Sequence, residues 1–185
     1  MFARCPMLVV DVFRYVKRRG RGLSRSRSGV AAVEFALIAA PFFALLFAII
    51  ETGLVCFSQE VLQTAVTQSA RLIMTEQAQA QGMTAAQFQQ DVCARAGVLF
   101  DCSNLSVNVQ TFSSFSGVSM LNPVQNGNFQ SSNMSFQPGA PGDIVLVQAF
   151  YQVPVVTAPL NFDLANIGGG KRLIVASAAF RNEPN

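Results

Sequence analysis

An apolar run near the N-terminus constrains the fold of this chain more than any other feature. Residues 35–50 carry no charge, and their neighbours extend the run from Val30 to Phe57. A helix of that length rises about 1.5 Å per residue and can cross a hydrocarbon core of about 30 Å. Glu34 lies inside this run, where a charged side chain costs about 2.5 to 3.5 kcal/mol on insertion scales. The sequence therefore predicts a membrane span with an acid near its start, Glu34, that needs an explanation.

Basic residues are concentrated ahead of the run. Residues 1–29 hold eight Lys and Arg against one Asp, whereas residues 30–185 hold five basic and nine acidic residues. A basic block can contact nucleic acid or an anionic membrane surface. Because this block adjoins a membrane-length apolar run, and basic flanks stay cytoplasmic, we interpret it as a topology signal and expect no nucleic-acid partner. The predicted organisation is a cytoplasmic leader at 1–29, a transmembrane helix at 30–57 and an exported domain at 58–185.

Helical periodicity continues beyond the span. Apolar residues recur at spacings of one and three to four up to Ile73, with polar residues on the other face, so we predict one helix from Val30 to about Ala80. A second, shorter helix is predicted in "TAAQFQQDVCARAG". There Thr84 is the candidate N-cap, Gln87 its capping-box partner and Gly97 the stop signal.

The C-terminal half has the pattern of strands. Three segments alternate or are continuously apolar: "NLSVNVQTF", "DIVLVQAFYQVPVV" and "KRLIVASAAFRN". Pro154 indicates an edge strand or a strand end, and Gly168 to Gly170 indicate a turn. Residues 113–142 are rich in Ser, Asn, Gln, Gly and Pro, which predicts a long, partly mobile loop. The predicted fold class is α+β, with a long helix packed on a small antiparallel sheet.

Two of the four cysteines, Cys93 and Cys102, fall in the predicted exported domain, where disulfides persist. A bond between them would close a loop of about ten residues and stabilise the domain by about 2.5 to 3 kcal/mol in the chain-entropy model. The alternative is a pair of buried thiols. Cys5 would stay in the cytoplasm, and we interpret Cys56, at the outer end of the span, as a small packing residue.

Enzymatic chemistry has little support in the sequence. Histidine is absent, which excludes imidazole-dependent triads and makes most zinc sites unlikely to form. Four aspartates are scattered over predicted turns and element ends, and "NIGGGKR" has neither the spacing of a phosphate-binding loop nor a helix after it. These aspartates are Asp91, Asp101, Asp143 and Asp163. We expect no catalytic site, no metal and no cofactor.

At Glu34 the sequence resembles the type IV prepilins, and specifically the TadE-like minor pseudopilins of tight-adherence (Flp) pilus systems. The residues that carry the resemblance are Gly29 before the apolar run, then Val30 to Val33, then Glu34 and Phe35, all after a basic leader. The final segment "SAAFRNEPN" is also similar to the end of such chains. The resemblance implies a pilin-like fold and cleavage after Gly29 by a prepilin peptidase, so that Val30 becomes the first mature residue and Glu34 the fifth.

The same resemblance implies the partners and the location. These are the prepilin peptidase, other pilins and pseudopilins, the inner-membrane assembly platform and membrane lipid, with the exported domain in the periplasm or in a pilus. The metal-binding Asp-x-Ser-x-Ser pattern of the larger TadG-like proteins is missing. The alternative function is an uncleaved, signal-anchored binding protein of the cell envelope.

Two residues of the span have a functional and a simpler interpretation. The freed amino group of Val30 could pair with Glu34, within one helix or between staggered helices whose register Glu34 and Phe35 would set. Glu34 could instead only favour the helix start through the helix dipole. Pro41 removes one helical hydrogen bond and predicts a kink, which is either a hinge for leaving the membrane or a simple bend.

Overall fold

The computed structural model describes residues 27–97, 100–155 and 164–184. The described helices and strands follow one another in the order helix, helix, helix, then five strands, with single-turn 3₁₀ segments between some of them. They are α1 Arg27–Met74, α2 Gln77–Ala80, α3 Ala85–Ala96, β1 Leu105–Phe112, β2 Val124–Gln125, β3 Asn128–Phe129, β4 Ile144–Pro154 and β5 Lys171–Arg181. The chain divides into two units between Leu46 and Phe47, and we describe each by itself.

The helix α1 contains the predicted span. Its stretch from Gly29 to Met74 includes a window with a mean hydropathy of 2.5, of which only 6% is buried. By length and composition this helix can cross a membrane, and it is the one such helix in the described part of the chain. The apolar run of the sequence is thus an exposed helix and not the core helix of a soluble domain.

The second unit is an α+β domain, as the sequence predicts. Its main sheet has the order β1-β4-β5 and both pairings are antiparallel, with Val109 opposite Val147 and Ala149 opposite Ala176. One face of this sheet packs on the half of α1 that belongs to this unit and on α3. The shared core contains these fully buried side chains: Leu62, Val66, Ile73, Phe88, Val92, Val109, Val145 and Val147. Burial of each such side chain contributes about 1.5 to 3 kcal/mol, so this layer is the main source of the domain's stability.

The structure confirms the capping signals predicted for α3 and the strand end predicted at Pro154. Thr84 caps α3 in a capping box with Gln87, and Gly97 follows its last residue. Phe88, on the buried side of α3, is inaccessible to solvent. Pro154 ends β4, which is the central strand of the sheet and not an edge strand.

The helix α1 ends earlier than the sequence indicates, at Met74 and not near Ala80. Glu76 adopts a left-handed conformation with φ of 59°, and its N–H donates to the Ile73 carbonyl at 3.0 Å. The Met74 carbonyl accepts a hydrogen bond from the N–H of Glu183 at 2.9 Å. A segment more than a hundred residues away in the sequence thus takes the place of the next helical turn, and α2 restarts after it.

The segment 113–142 also differs from the predicted loop. It contains the hairpin β2-β3, and Ser135 and Gln137 bond to the backbone of Val109 at 2.8 and 2.9 Å. It also covers one face of the sheet, where Asn108 and Gln148 are buried although their sequence positions predict solvent exposure. The N–H of Ser135 donates to Asn108 Oδ1 at 2.9 Å, and that of Leu121 donates to Gln148 Oε1 at 3.0 Å.

Side-chain amides occupy the outer edge of β5. Gln63 Nε2 donates to the Ser177 carbonyl at 2.9 Å while its Oε1 accepts from the Ser177 N–H at 3.3 Å, as a neighbouring strand would do. Asn166 forms the same paired contact with the backbone of Leu173. Gln59 Nε2 donates to the Val175 carbonyl at 2.7 Å. An edge strand exposes backbone groups that can recruit another chain, and these amides block much of that edge.

Candidate membrane and assembly helix

The first part of α1 presents apolar side chains to its surroundings on all sides. Phe35, Leu37 and Ile38 are each 71% exposed. Large exposed apolar surfaces are rare on soluble monomers and mark contacts with a membrane or with other proteins. This segment can therefore partition into lipid or pack against another apolar helix.

Glu34 lies on this apolar helix and is exposed. Within the described residues its carboxylate makes no hydrogen bond or ion pair with another side chain. In hydrocarbon such a carboxylate needs a counter-charge or a donor. A partner for Glu34 must therefore come from outside the described chain, from the new N-terminus after cleavage, or from water at the membrane surface.

Gly29 and Val30 lie in the first turn of α1, because the helix begins at Arg27. Gly29 is half-buried and Val30 is 56% exposed. Residues 1–26 of the predicted leader lie outside the described residues. The cleavage site therefore stays a prediction.

Pro41 lies within α1, which continues through it as one helix to Met74. Its ring replaces the N–H that would bond to the Leu37 carbonyl. The hinge interpretation stays a prediction. Further along, the hydroxyl of Thr52 donates to the Ala48 carbonyl at 2.8 Å, so this polar group is satisfied within the helix, as apolar surroundings require.

The disulfide between Cys93 and Cys102 is present and joins α3 to the residues that precede β1, with the two Cα atoms 5.7 Å apart. Gln89 Nε2 reinforces this link by donating to the Cys102 and Leu105 carbonyls at 3.2 and 2.9 Å. Next to it, Tyr151 of the central strand accepts a hydrogen bond from the Asp101 N–H at 3.1 Å. The disulfide thus fastens α3 to the start of β1, at one end of the sheet.

Cys56 is an exposed free thiol, and its interpretation as a small packing residue at the outer end of the span stays a prediction. It borders a groove of about 360 Å³ in the second unit, lined also by Glu60, Arg172 and Ile174.

Two aspartates of the domain form hydrogen bonds with residues close to them in the chain. Arg95 forms a two-pronged hydrogen bond with Asp91 one helical turn away, at 2.7 and 3.2 Å. Burial raises the pKa of Asp91, but the Arg95 guanidinium outweighs this effect and holds the pKa below its usual value. The pKa of Asp101 is lowered by hydrogen bonds from Ser103. Asp163 lies outside the described residues, and among those described no three His, Cys, Asp or Glu residues lie together.

We expect the disulfide to stabilise the domain. The double change Cys93→Ser and Cys102→Ser should lower the free energy of unfolding by about 2.5 to 3 kcal/mol, because the unfolded chain regains the freedom of a closed loop of about ten residues. Chemical denaturation of the wild type and the variant in the same detergent measures the difference. Cys56→Ser is the matched control, since this exposed thiol should leave stability within about 0.5 kcal/mol of wild type. Equal stability of the double variant and the wild type would contradict the expectation.

Comparison with known proteins finds a family match that covers most of α1. Residues 29–71 match the model of a family described as TadE-like protein, which confirms the resemblance inferred from Gly29, Glu34 and the apolar run. The matched segment begins at the glycine of the predicted cleavage site and ends within α1. The family is a pilus-associated structural one and not an enzymatic one. No curated protein and no solved structure matches the chain.

Proposed function

We propose that this TadE-like chain is a minor pseudopilin that takes part in building a tight-adherence pilus. The observation that carries the proposal is the exposed apolar part of α1, which follows the matched glycine and contains Glu34. In this proposal the chain is synthesised with a cytoplasmic leader, inserts once into the inner membrane and presents residues 58–185 on the periplasmic side. It is a substrate of the prepilin peptidase and not itself a catalyst.

Charge and cysteine chemistry support this orientation. The basic residues precede the apolar helix, and such flanks remain on the cytoplasmic side. The disulfide between Cys93 and Cys102 suits an oxidising compartment, and in a bacterial cell that compartment is the periplasm. The basic residues precede the apolar helix in the sequence and the disulfide follows it, and both favour the same topology.

Cleavage after Gly29 would give Glu34 its partner. The new α-amino group of Val30 lies one helical turn from Glu34, and a cation near a carboxylate favours the ionised pair and lowers the penalty of placing it in lipid. Between two staggered helices the same pair would set the register, with Phe35 packing beside it. Pro41 would act as the hinge through which the helix leaves the membrane for a complex.

The domain itself offers little room for assembly by strand addition. Gln63, Gln59 and Asn166 bond to the outer edge of β5, and Ser135 and Gln137 bond to the outer edge of β1. The apolar helix, by contrast, exposes a large surface to partners. We therefore place the contacts with other pilins, with the assembly platform and with lipid along residues 30–57.

Deletion of the gene in its own host tests the proposed function. Pili counted by electron microscopy should fall strongly and return when the full chain is supplied in trans. A chain truncated after Phe57, which keeps the leader and the helix, distinguishes helix-driven assembly from a role of the domain. Normal piliation of the deletion strain under conditions in which the gene is expressed would overturn the proposal.

The alternative is a signal-anchored binding protein of the cell envelope, with Glu34 serving only the start of the helix. The observation that favours it is that α1 already begins at Arg27, ahead of Gly29, so the helix does not need cleavage to form. Retention of residues 1–29 in the membrane-bound protein would support this alternative against the pseudopilin.

A further inference from the structure

Three side-chain oxygens at the junction of α1, α2 and the C-terminal segment are buried without a hydrogen-bond partner. They are Glu76 Oε1, Gln79 Oε1 and Asn182 Oδ1. Carboxylate and amide oxygens are hydrogen-bond acceptors. A buried acceptor without a donor is destabilising, so native proteins nearly always supply one.

The hydrogen bonds that the side-chain nitrogens donate fix the orientation of the Gln79 and Asn182 amides. Gln79 Nε2 donates to the Ile73 carbonyl at 3.1 Å and to the Pro138 carbonyl at 3.0 Å. Asn182 Nδ2 donates to the Pro138 and Ala140 carbonyls at 2.9 and 3.1 Å. Rotating either amide by 180° would set its oxygen against two carbonyl oxygens. The unpartnered oxygens therefore are not an artefact of a misplaced amide group.

Shared partners place the three residues next to one another. The Pro138 carbonyl accepts from both amides, so Gln79 and Asn182 are neighbours. The Ile73 carbonyl accepts from the Glu76 N–H at 3.0 Å and from Gln79 Nε2 at 3.1 Å, so Glu76 adjoins Gln79. Asn182 is only 1% exposed, so its oxygen does not face solvent.

The backbone of Glu76 is held in a conformation that residues other than glycine rarely adopt. Its φ is 59°, and apart from Asn126 in the β2-β3 turn it is the one non-glycine residue with positive φ in the described chain. Strained backbone persists where surrounding interactions enforce it, often at binding sites. Here the strained residue lies in the turn between α1 and α2, next to Gln79.

We propose that this junction, formed by Glu76, Gln79 and Asn182, binds a hard divalent cation such as Ca²⁺. Carboxylate and amide oxygens are the ligands that Ca²⁺ takes in proteins, with water completing its six to eight positions. One carboxylate is a small charge for such a site, so the affinity belongs to the range of about 10⁻⁴ to 10⁻³ M found in extracellular modules. The cation would join the end of α1 to the segment after β5, and would thereby stabilise the domain side of the assembly helix.

Thermal unfolding of the full chain in a non-ionic detergent tests the proposal. Addition of Ca²⁺ to about 10 mM should raise the unfolding midpoint by several degrees over protein in EDTA, because a ligand that binds only the folded state stabilises it. Isothermal titration calorimetry with Ca²⁺ should show one site in that affinity range. Mg²⁺ should be weaker, since it requires a tighter octahedral shell.

Two variants of Glu76 separate binding from folding. Glu76→Gln removes the charge at nearly constant size and should lose most of the calcium-dependent shift. Glu76→Gly removes the carboxylate and also accepts the positive φ, so it should unfold no earlier than wild type in EDTA while losing the shift. Glu60→Gln is the matched control, because it removes an exposed carboxylate from α1 and should keep the full response.

An unchanged midpoint and no binding heat for wild type at 10 mM Ca²⁺ would overturn the proposal, and ordered water would then be the donor for the three oxygens. A full calcium response in Glu76→Gln and Glu76→Gly would overturn it as well, because the cation would then bind elsewhere. Neither outcome depends on whether the chain acts in a pilus.

Discussion

We expect replacement of Gly29 by leucine to leave the chain with its leader attached, as a precursor heavier than the proposed mature product by residues 1–29. If a peptidase cuts after Gly29, the branched side chain of leucine should block the cut by crowding the bond to be cleaved. Leucine favours helix over glycine by about 1 kcal/mol and is apolar, so membrane insertion should continue. Intact-mass measurement of the protein purified from its own membrane shows which form accumulates, and the expected change is from nearly complete to nearly absent cleavage.

Gly53→Leu is the matched control for this experiment. Gly53 lies in the same helix, and a Cβ built there meets no atom within 4 Å, so leucine fits without a clash. This variant should mature like wild type. A Gly29→Leu protein that begins at Val30, or wild-type protein that keeps residues 1–29 in a piliated cell, would contradict cleavage at this site.

Changing Glu34 to glutamine should leave cleavage and insertion largely intact while pilus assembly falls. If the Glu34 carboxylate pairs with the freed amino group of Val30 on its own or a neighbouring chain, the neutral isostere leaves that amino group unpaired in lipid or in a helix bundle. Breaking a buried ion pair from one side costs about 3 to 5 kcal/mol, which corresponds to more than about a hundredfold in an association constant. Pilus counts and co-purification of partner pilins, at equal membrane abundance, measure the loss.

Glu60→Gln is the control here as well, since Glu60 is an exposed carboxylate further along the same helix, and it should assemble normally. If Glu34 only favours the helix start through the dipole, its replacement should change stability by about 1 kcal/mol or less and assembly very little. Normal pili with normal partner recovery in Glu34→Gln would therefore reduce this residue to a helix-start role.

Local patterns were enough to predict α1, α3 and the three strands of the main sheet. The apolar run defined the exposed helix because no polar side chain interrupts it between Phe35 and Ile50. Thr84 and Gln87 placed the start of α3, since a capping box uses only neighbours within one turn. The pairing of Cys93 with Cys102 followed from their being the two cysteines of the predicted exported domain, and the structure confirms it.

Tertiary contacts decided what no local pattern contains. The sequence alone shows a helix that could continue to Ala80, but the Glu183 N–H reaches the Met74 carbonyl and α1 ends there. Asn108 alternates with apolar residues as an outward side chain would, yet the segment 113–142 covers it and supplies its donor.

The residues Glu76, Gln79 and Asn182 become neighbours for the same reason. The first two follow the end of the long helix and the third follows the last strand, so no spacing in the sequence relates them. The sequence by itself determined the two longer helices, the strands of the main sheet and the membrane-compatible segment, because those depend on neighbours within a few residues. Only the folded chain decided which polar groups become buried neighbours, because that depends on packing between segments that are far apart in the sequence.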